Sequence, residues 1–255
     1  MSARGIEPRR LGVPGAQQAH DPHCLPTAEA CAVCEARPFS ICAPLSTAEL
    51  AELDRFSTTL HLPAGATFVH EGDPADHCFN ITAGSAKIYK LLPDGRRQVI
   101  GFLFTGDFLG TATRGPYGIS AEAMTPLSLC RFERASFRAV LSRLPALEHA
   151  LLDRTADELE AAREQMLLLG RKAARERVAS FLLSLSRRAV RLGRVADPVQ
   201  LPMGRTDIAD YLGLTTETVS RVLTQLRTEG MIRLNGTSEV HLTRRAALES
   251  LCEGA

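Results

Sequence analysis

Arg205–Leu226 reads RTDIADYLGLTTETVSRVLTQL. Two short helices joined by a tight turn fit this run closely. The first is expected to start behind Thr206 as its N-cap and to run through Tyr211-Leu212. Gly213 supplies the turn, where a positive φ costs glycine little. Thr215 then caps the second helix. Ala209 is small where the two helices must approach, and Val219 and Val222 fall on the buried face of the second. Ile208, Leu212, Leu214 and Leu226 complete a compact core. The pattern is a helix-turn-helix.

The opposite face of the second helix carries Thr216, Glu217, Ser220, Arg221 and Thr224. Arginine can give two hydrogen bonds to guanine O6/N7, glutamate accepts from cytosine N4, and serine contacts base or phosphate. Glu217 and Arg221 are also four residues apart, which suits a plain surface ion pair. Downstream, Met231-Ile-Arg-Leu-Asn-Gly236 precedes Glu239-Val-His-Leu242, and Asn-Gly between apolar runs signals a hairpin. A hairpin after a recognition helix is the wing of a winged helix, with Arg233, Arg244 and Arg245 as phosphate candidates. Residues 171–255 hold 14 Lys/Arg against 9 Asp/Glu, although the whole chain is only +1. That basic third favours an anionic partner, double-stranded DNA.

Upstream, a helix is expected over Ala174–Leu192, with Pro198 and Pro202 marking a break. Residues 144–170 repeat apolar or small residues at Leu152, Thr155, Leu159, Ala162, Met166 and Leu169, spaced three and four apart. Asp157, Glu158, Glu160, Arg163 and Glu164 stand opposite. This is either a dimer seam or a helix lying on its own domain. Residues from about 58 to 137 read as short strands between turn signals, among them Pro93-Asp94-Gly95. Strands are expected at Ala86–Leu92, Val99–Phe104 and Leu127–Phe132, the first two forming a hairpin. A short helix is expected at Thr47–Phe56 with Thr47 as N-cap.

Seven cysteines, an odd number, argue against a disulfide framework. Four of them form Cys24-x6-Cys31-x2-Cys34-x7-Cys42. Thiolates at this density suit zinc or an iron–sulfur cluster, and spacing does not separate the two. His23 or Cys24 could complete a local zinc site. Cys78 reads as core, Cys252 carries no signal, and Cys130 becomes a ligand only if the N-terminal loop folds back onto its strand. No run of 18 apolar residues is present and the N-terminus lacks an apolar signal core, so neither membrane nor export is expected and the cytoplasm is. No nucleophile–base constellation or phosphate loop suggests an enzyme.

The expected fold is α+β. Residues 1–22 are polar and expected to be disordered, 23–143 form a cysteine loop and β-roll, 144–172 a dimerisation helix, and 173–255 a winged helix-turn-helix. This order resembles the cAMP receptor protein/FNR superfamily. The likeness is carried by Gly106-Asp-Phe-Leu-Gly110, Gln165-Met-Leu-Leu-Leu169, Ala179–Arg188 and Tyr211–Arg221, and it covers residues 24 to 250. It implies a cyclic-nucleotide-binding-like roll. It also implies a transcription activator working as a homodimer that contacts RNA polymerase. Glu217, Ser220 and Arg221 would read a TTGAT-N4-ATCAA-like palindrome, with Thr216 beside them. The nucleotide sensors of this superfamily place Gly-Glu after the Gly-Asp-Phe run and Arg-Ser/Thr further on. Here Gly110 precedes Thr111, and Ile119 stands where the arginine would be, so no cyclic nucleotide is expected. The chain is similar instead to the FNR branch, its FnrN/FnrL-like members in particular, which sense oxygen through a [4Fe–4S] cluster. That resemblance implies Cys31, Cys34, Cys42 and Cys130 as ligands and Cys24 as an extra. It further implies that oxygen destroys the cluster and loosens the dimer. Ala162 stands where enteric-type members carry an acid on the seam, which weakens the case for dissociation.

Overall fold

The computed structural model describes residues 31, 33–110 and 115–253. The predicted disorder of residues 1–22, His23 and Cys24, and the departure at Thr111, lie outside them. A 3-10 turn at Arg37–Phe39 is followed by α1 (Thr47–Asp54). Ser46, not Thr47, caps α1. Its hydroxyl accepts from the Glu49 N–H, and the Glu49 carboxylate accepts from the Ser46 N–H, a reciprocal box.

Eight strands then form two four-stranded sheets. They are β1 (Ser57–Leu62), β2 (Thr67–Val69), β3 (His77–Ala83), β4 (Ser85–Leu91), β5 (Arg97–Phe104), β6 (Phe108–Leu109), β7 (Ser120–Ala123) and β8 (Leu127–Glu133). One sheet runs β1-β8-β3-β6 and the other β2-β7-β4-β5. The expected β4–β5 hairpin forms with antiparallel pairing. Alternation along β8 serves two cores. Leu127 and Leu129 enter the roll interior with Ile81 and Phe79. Cys130 and Phe132 point to the other side, into a cluster built by Ile41, Leu45, Leu50, Leu53, Phe137, Val140, Leu144 and Leu147. The N-terminal loop therefore does fold back onto β8.

Helix α2 (Arg134–Leu141) leads into α3 (Pro145–Arg171), 27 residues and roughly 40 Å long. Only Leu147 and Leu168, near its two ends, are buried. Between them Leu152, Leu159 and Met166 are 61, 51 and 65 % exposed. A helix lying on its own roll would cover them, so that alternative fails. Thr155 and Ala162 are exposed with them. Leu169 departs from the expected seam: it is half-buried and packs into the C-terminal core of its own chain. The exposed stripe ends where α3 meets that domain.

The C-terminal domain comprises α4 (Ala174–Arg191), β9 (Val199–Gln200), α5 (Arg205–Leu212), α6 (Thr216–Thr228), β10 (Arg233–Asn235), β11 (Glu239–His241) and α7 (Arg245–Glu253). The wing is a three-stranded sheet, β10-β11-β9. Gly204, not Thr206, is the N-cap of α5, and Thr206 lies inside the helix. Ile208, Ala209, Leu212, Val219, Val222 and Leu226 are all buried as their spacing required.

This domain docks on the roll through α5. Lys87 of β4 bonds Glu122 at 3.0 Å and Asp207 at 2.9 Å, and Arg97 reaches Asp207 at 2.7 Å and Asp210 at 2.9 Å. Phe102, Phe181 and Tyr211 pack ring to ring beside them, with centroids 5.1 to 6.0 Å apart. Arg188 of α4 pairs with Asp107 and lies over the Phe104 ring. Among the described residues no helix is long and apolar enough to cross a membrane.

The turn between α5 and α6 depends on Gly213, with φ of +61°. A Cβ there would also sit 3.4 Å from a Leu169 methyl. Gly213→Ala is expected to destabilise the fold by about 1–2 kcal/mol, read by chemical denaturation.

Candidate nucleic-acid interface and cysteine centre

Helix α6 is fixed at its start by the Thr215 hydroxyl, which accepts from the Thr218 N–H. Its buried residues Val219, Val222, Leu223 and Leu226 seat it on α4 and α5. That packing turns Glu217, Ser220, Arg221 and Thr224 outward, all exposed, with Thr216 half-buried at the first turn. Among the described residues no ion pair joins Glu217 to Arg221. The plain surface pair that their spacing allows does not form, and both heads face outward. Hydrogen bonds from its own backbone N–H and then from Thr215 hold the Glu217 carboxyl below the usual range, so it remains an anionic acceptor. An exposed row of acceptor, hydroxyl and guanidinium on a protruding helix is the chemistry that reads base edges in a major groove. Of the wing cations, Arg233 and Arg244 are exposed. Arg245 is engaged elsewhere, on Glu249 and on the Ser186 hydroxyl, and is withdrawn as a phosphate contact.

The second constellation lies at the other end of α3. Cys31, Cys42 and Cys130 pack against the same apolar cluster. Burial pushes the Cys130 thiol up to about 12, and Cys42, Cys31 and Cys34 each stand close enough to raise it further. Cys31 is likewise raised to about 12 by burial and then by Asp54, to which its sulfur donates at 3.5 Å. Burial takes Cys42 to about 11. The six described cysteines are free thiols. Cys78 is buried in the core, as expected from its strand.

Three half-buried thiols and a fourth, Cys34, gathered without a disulfide make a soft, anionic donor set once deprotonated, suited to iron or zinc. Among the described residues no three His, Cys, Asp or Glu side chains are gathered so as to hold one metal ion. A four-iron cluster takes one thiolate per iron and spreads its ligands around a cube. One further observation fits that group. Asn80 pairs directly with Cys130 across the β3–β8 ladder, is 3 % exposed, and its Oδ1 has no hydrogen-bond partner. Turned about its last bond, the Asn80 amide would present an N–H donor to a thiolate-held group beside Cys130, the charge-assisted contact such a group takes.

The cysteine loop touches more than the roll. The Phe39 carbonyl accepts from Arg154 of α3. Its backbone lies over Gly106, where a Cβ would come within 2.6 Å of the Phe39 oxygen. A Cβ at Gly193, just after α4, would sit 3.7 Å from the Phe39 ring. Loop, roll, long helix and C-terminal domain meet at this one residue. Sequence reasoning missed Asp54, Asn80, Phe39 and Arg154. Each acts through a partner distant in the chain, and no local pattern announces it.

In the roll, the pair that a nucleotide phosphate would need is differently used. Ile119 packs against the roll core. The Ser120 hydroxyl accepts from the Glu71 N–H at 3.1 Å. Neither brings a cation.

Residues 59–144 match the cyclic nucleotide-binding domain, and residues 176–251 match the Crp-like helix-turn-helix domain. The nitrogen fixation regulation protein FixK of Bradyrhizobium diazoefficiens is 41 % identical over 82 % of this chain and 88 % of its own. The transcriptional activator protein FnrL of Cereibacter sphaeroides is 39 % identical over 89 % of this chain and 93 % of its own. Among solved structures, FixK2 from Bradyrhizobium japonicum superposes with a TM-score of 0.71 at 39 % identity, covering 76 % of this chain and 96 % of that one.

Proposed function

The chain belongs to the Crp/FNR family of transcription regulators, with a helix-turn-helix that binds DNA, and from that premise we propose that it is an oxygen-responsive member controlled by a [4Fe–4S] cluster. The observation that carries the reading is the meeting of Cys31, Cys34 and Cys42 with Cys130 on β8. When bound, such a cluster supplies an oxygen-labile cross-link among four thiolates.

The chain's own residues give that cross-link its reach. Cys31, Cys34 and Cys42 tie the loop to the sheet. Ile41 and Leu45 of the loop share a core with Leu144 and Leu147 at the root of α3. Arg154 holds α3 to the Phe39 carbonyl, and the Phe39 ring lies near Gly193, two residues past the end of α4. Tightening or releasing the loop therefore biases both the dimer helix and the DNA-binding domain. This is a shift between populations of one regulator, not chemistry on a substrate. Glu217, Ser220 and Arg221 read the bases of a palindromic, FNR-box-like site with Thr216 at their edge, and the bound dimer contacts RNA polymerase. Ile119 and Ser120 support a roll that does not take cyclic nucleotide as its signal. The thiols need a reducing compartment, the cytoplasm.

Anaerobically purified full-length chain is expected to be brown, to hold about four irons per protomer, and to bleach in air. Cys130→Ala should be colourless yet folded, and Cys24→Ala should keep its colour. Colourless wild-type protein carrying one zinc per protomer would sink the cluster. Arg221→Ala should cost about 1–3 kcal/mol at the matched site and relax base preference at one position; an equal loss on all DNA would make it a phosphate contact. Because Ala162 puts no charge on an apolar seam, sedimentation should find the dimer both with and without air. The response then appears in DNA affinity. A monomer in air would restore dissociation as the switch.

A further inference from the structure

Arg177, in the first turn of α4, spends its guanidinium on carbonyls at helix ends. Its Nε donates to the Lys172 oxygen at 2.8 Å and its Nη2 to the Leu169 oxygen at 2.9 Å, both at the C-terminus of α3. Its Nη1 donates to the Leu212 oxygen at 2.9 Å, the last residue of α5. Helix C-termini leave carbonyls unpaired and carry partial negative charge, and here two such ends converge on one cation. The planar fork of arginine can serve all three at once, whereas a lysine could not. Gln165 of α3 adds a second tether, its Nε2 donating to the Tyr211 oxygen at 2.8 Å. Both tethers end on the last two residues of α5, just before the turn into α6.

The covalent link between α3 and α4 is only Lys172-Ala173, outside either helix. Two residues of chain leave the helix-turn-helix free to swing about α3 except where it is held: by α5 on the roll, by Leu168 and Leu169 in its core, and by these two tethers to α3. In a dimer built on the α3 seam, the angle of that swing sets how far apart the two copies of α6 stand. Inserting one base pair between half-sites moves one of them by about 3.4 Å and turns it by roughly 35°. A rigid joint rejects such a site, and a loose one follows it.

We propose that Arg177, seconded by Gln165, is the positioning residue that fixes the half-site spacing this dimer accepts. It reads no base. It determines specificity by locking the recognition helix to its own end of the dimer helix. The inference rests on dimeric DNA binding and is independent of what the cysteines hold.

The test is selection from a random duplex pool by the full-length chain, kept anaerobic, as wild type, Arg177→Met, Arg177→Lys and Gln165→Leu. Wild type is expected to enrich inverted half-sites at one spacing. Arg177→Met should enrich the same half-site sequence at several spacings. The affinity penalty for adding or removing one base pair should fall by at least about tenfold, with Arg177→Lys between the two. If Arg177→Met kept the single wild-type spacing, the proposal would be overturned. So would an equal loss of affinity on every duplex, which a merely stabilising cap would give. Should Arg177→Met fail to fold, Gln165→Leu removes a tether without touching α4. It is expected to relax spacing by a smaller amount, and an unchanged spacing there overturns the proposal. Enrichment of lone half-sites by wild type would refute dimeric reading itself, an outcome distinct from the others.

Discussion

The two-residue alternation of β8 is the constraint on which the molecule turns. Successive side chains of a strand must face opposite sides of its sheet. Leu127 and Leu129 therefore fill the roll, and Cys130 and Phe132 must face away from it. That outer face would be an apolar liability if left bare. The N-terminal loop, α1 and α2 cover it, and the same packing brings three cysteines of the loop to the fourth. A slip of one residue in the register of β8 would turn Cys130 into the roll and disperse the cluster of thiols.

From that face the structure passes directly to α3. Leu144 and Leu147 belong to the cysteine-side core, so the long helix is rooted in it. Among the described residues its middle buries no side chain, and its far end, at Leu168 and Leu169, is rooted again in the DNA-binding domain. A helix buried only near its two ends is a strut. Its sides are open to a second copy, and its ends transmit whatever happens to the loop. Phe39 and Arg154 add a direct contact at the first root, and Arg177 and Gln165 add one at the second.

Features set by near neighbours were legible in the sequence. The helix-turn-helix was read down to Ala209, Gly213 and Val219, because close approach, a left-handed turn and a buried face are each fixed by residues a few positions apart. The β4–β5 hairpin was legible for the same reason. Two helix starts were misread by one or two residues. Ser46 and Thr47 are both good caps, and Gly204 caps α5 without a side chain, so Thr206 looked the better choice. The exposed stripe from Leu152 to Met166 was legible except at its end. Leu169 continues the three-four spacing, but that spacing is the same for a residue facing a partner helix and one facing its own domain. The docking of Asp207 and Asp210 on Lys87 and Arg97 had no local signal at all. Acidic residues on a helix beside a basic recognition surface look like solvated charge. Only the fold shows them enclosed.

That enclosure divides one small domain into two electrostatic regimes. The Lys87–Asp207 pair keeps only 8 and 15 % of its side chains in contact with solvent, whereas Glu217 and Arg221 are exposed to it. Mobile ions screen exposed charges within a Debye length of about 8 Å at physiological strength and reach enclosed pairs far less. Rising ionic strength therefore weakens the grip on a polyanion. It leaves the attitude of the domain on the roll nearly untouched. A change in ionic strength would alter how tightly this regulator holds its site without altering how that site is presented to it.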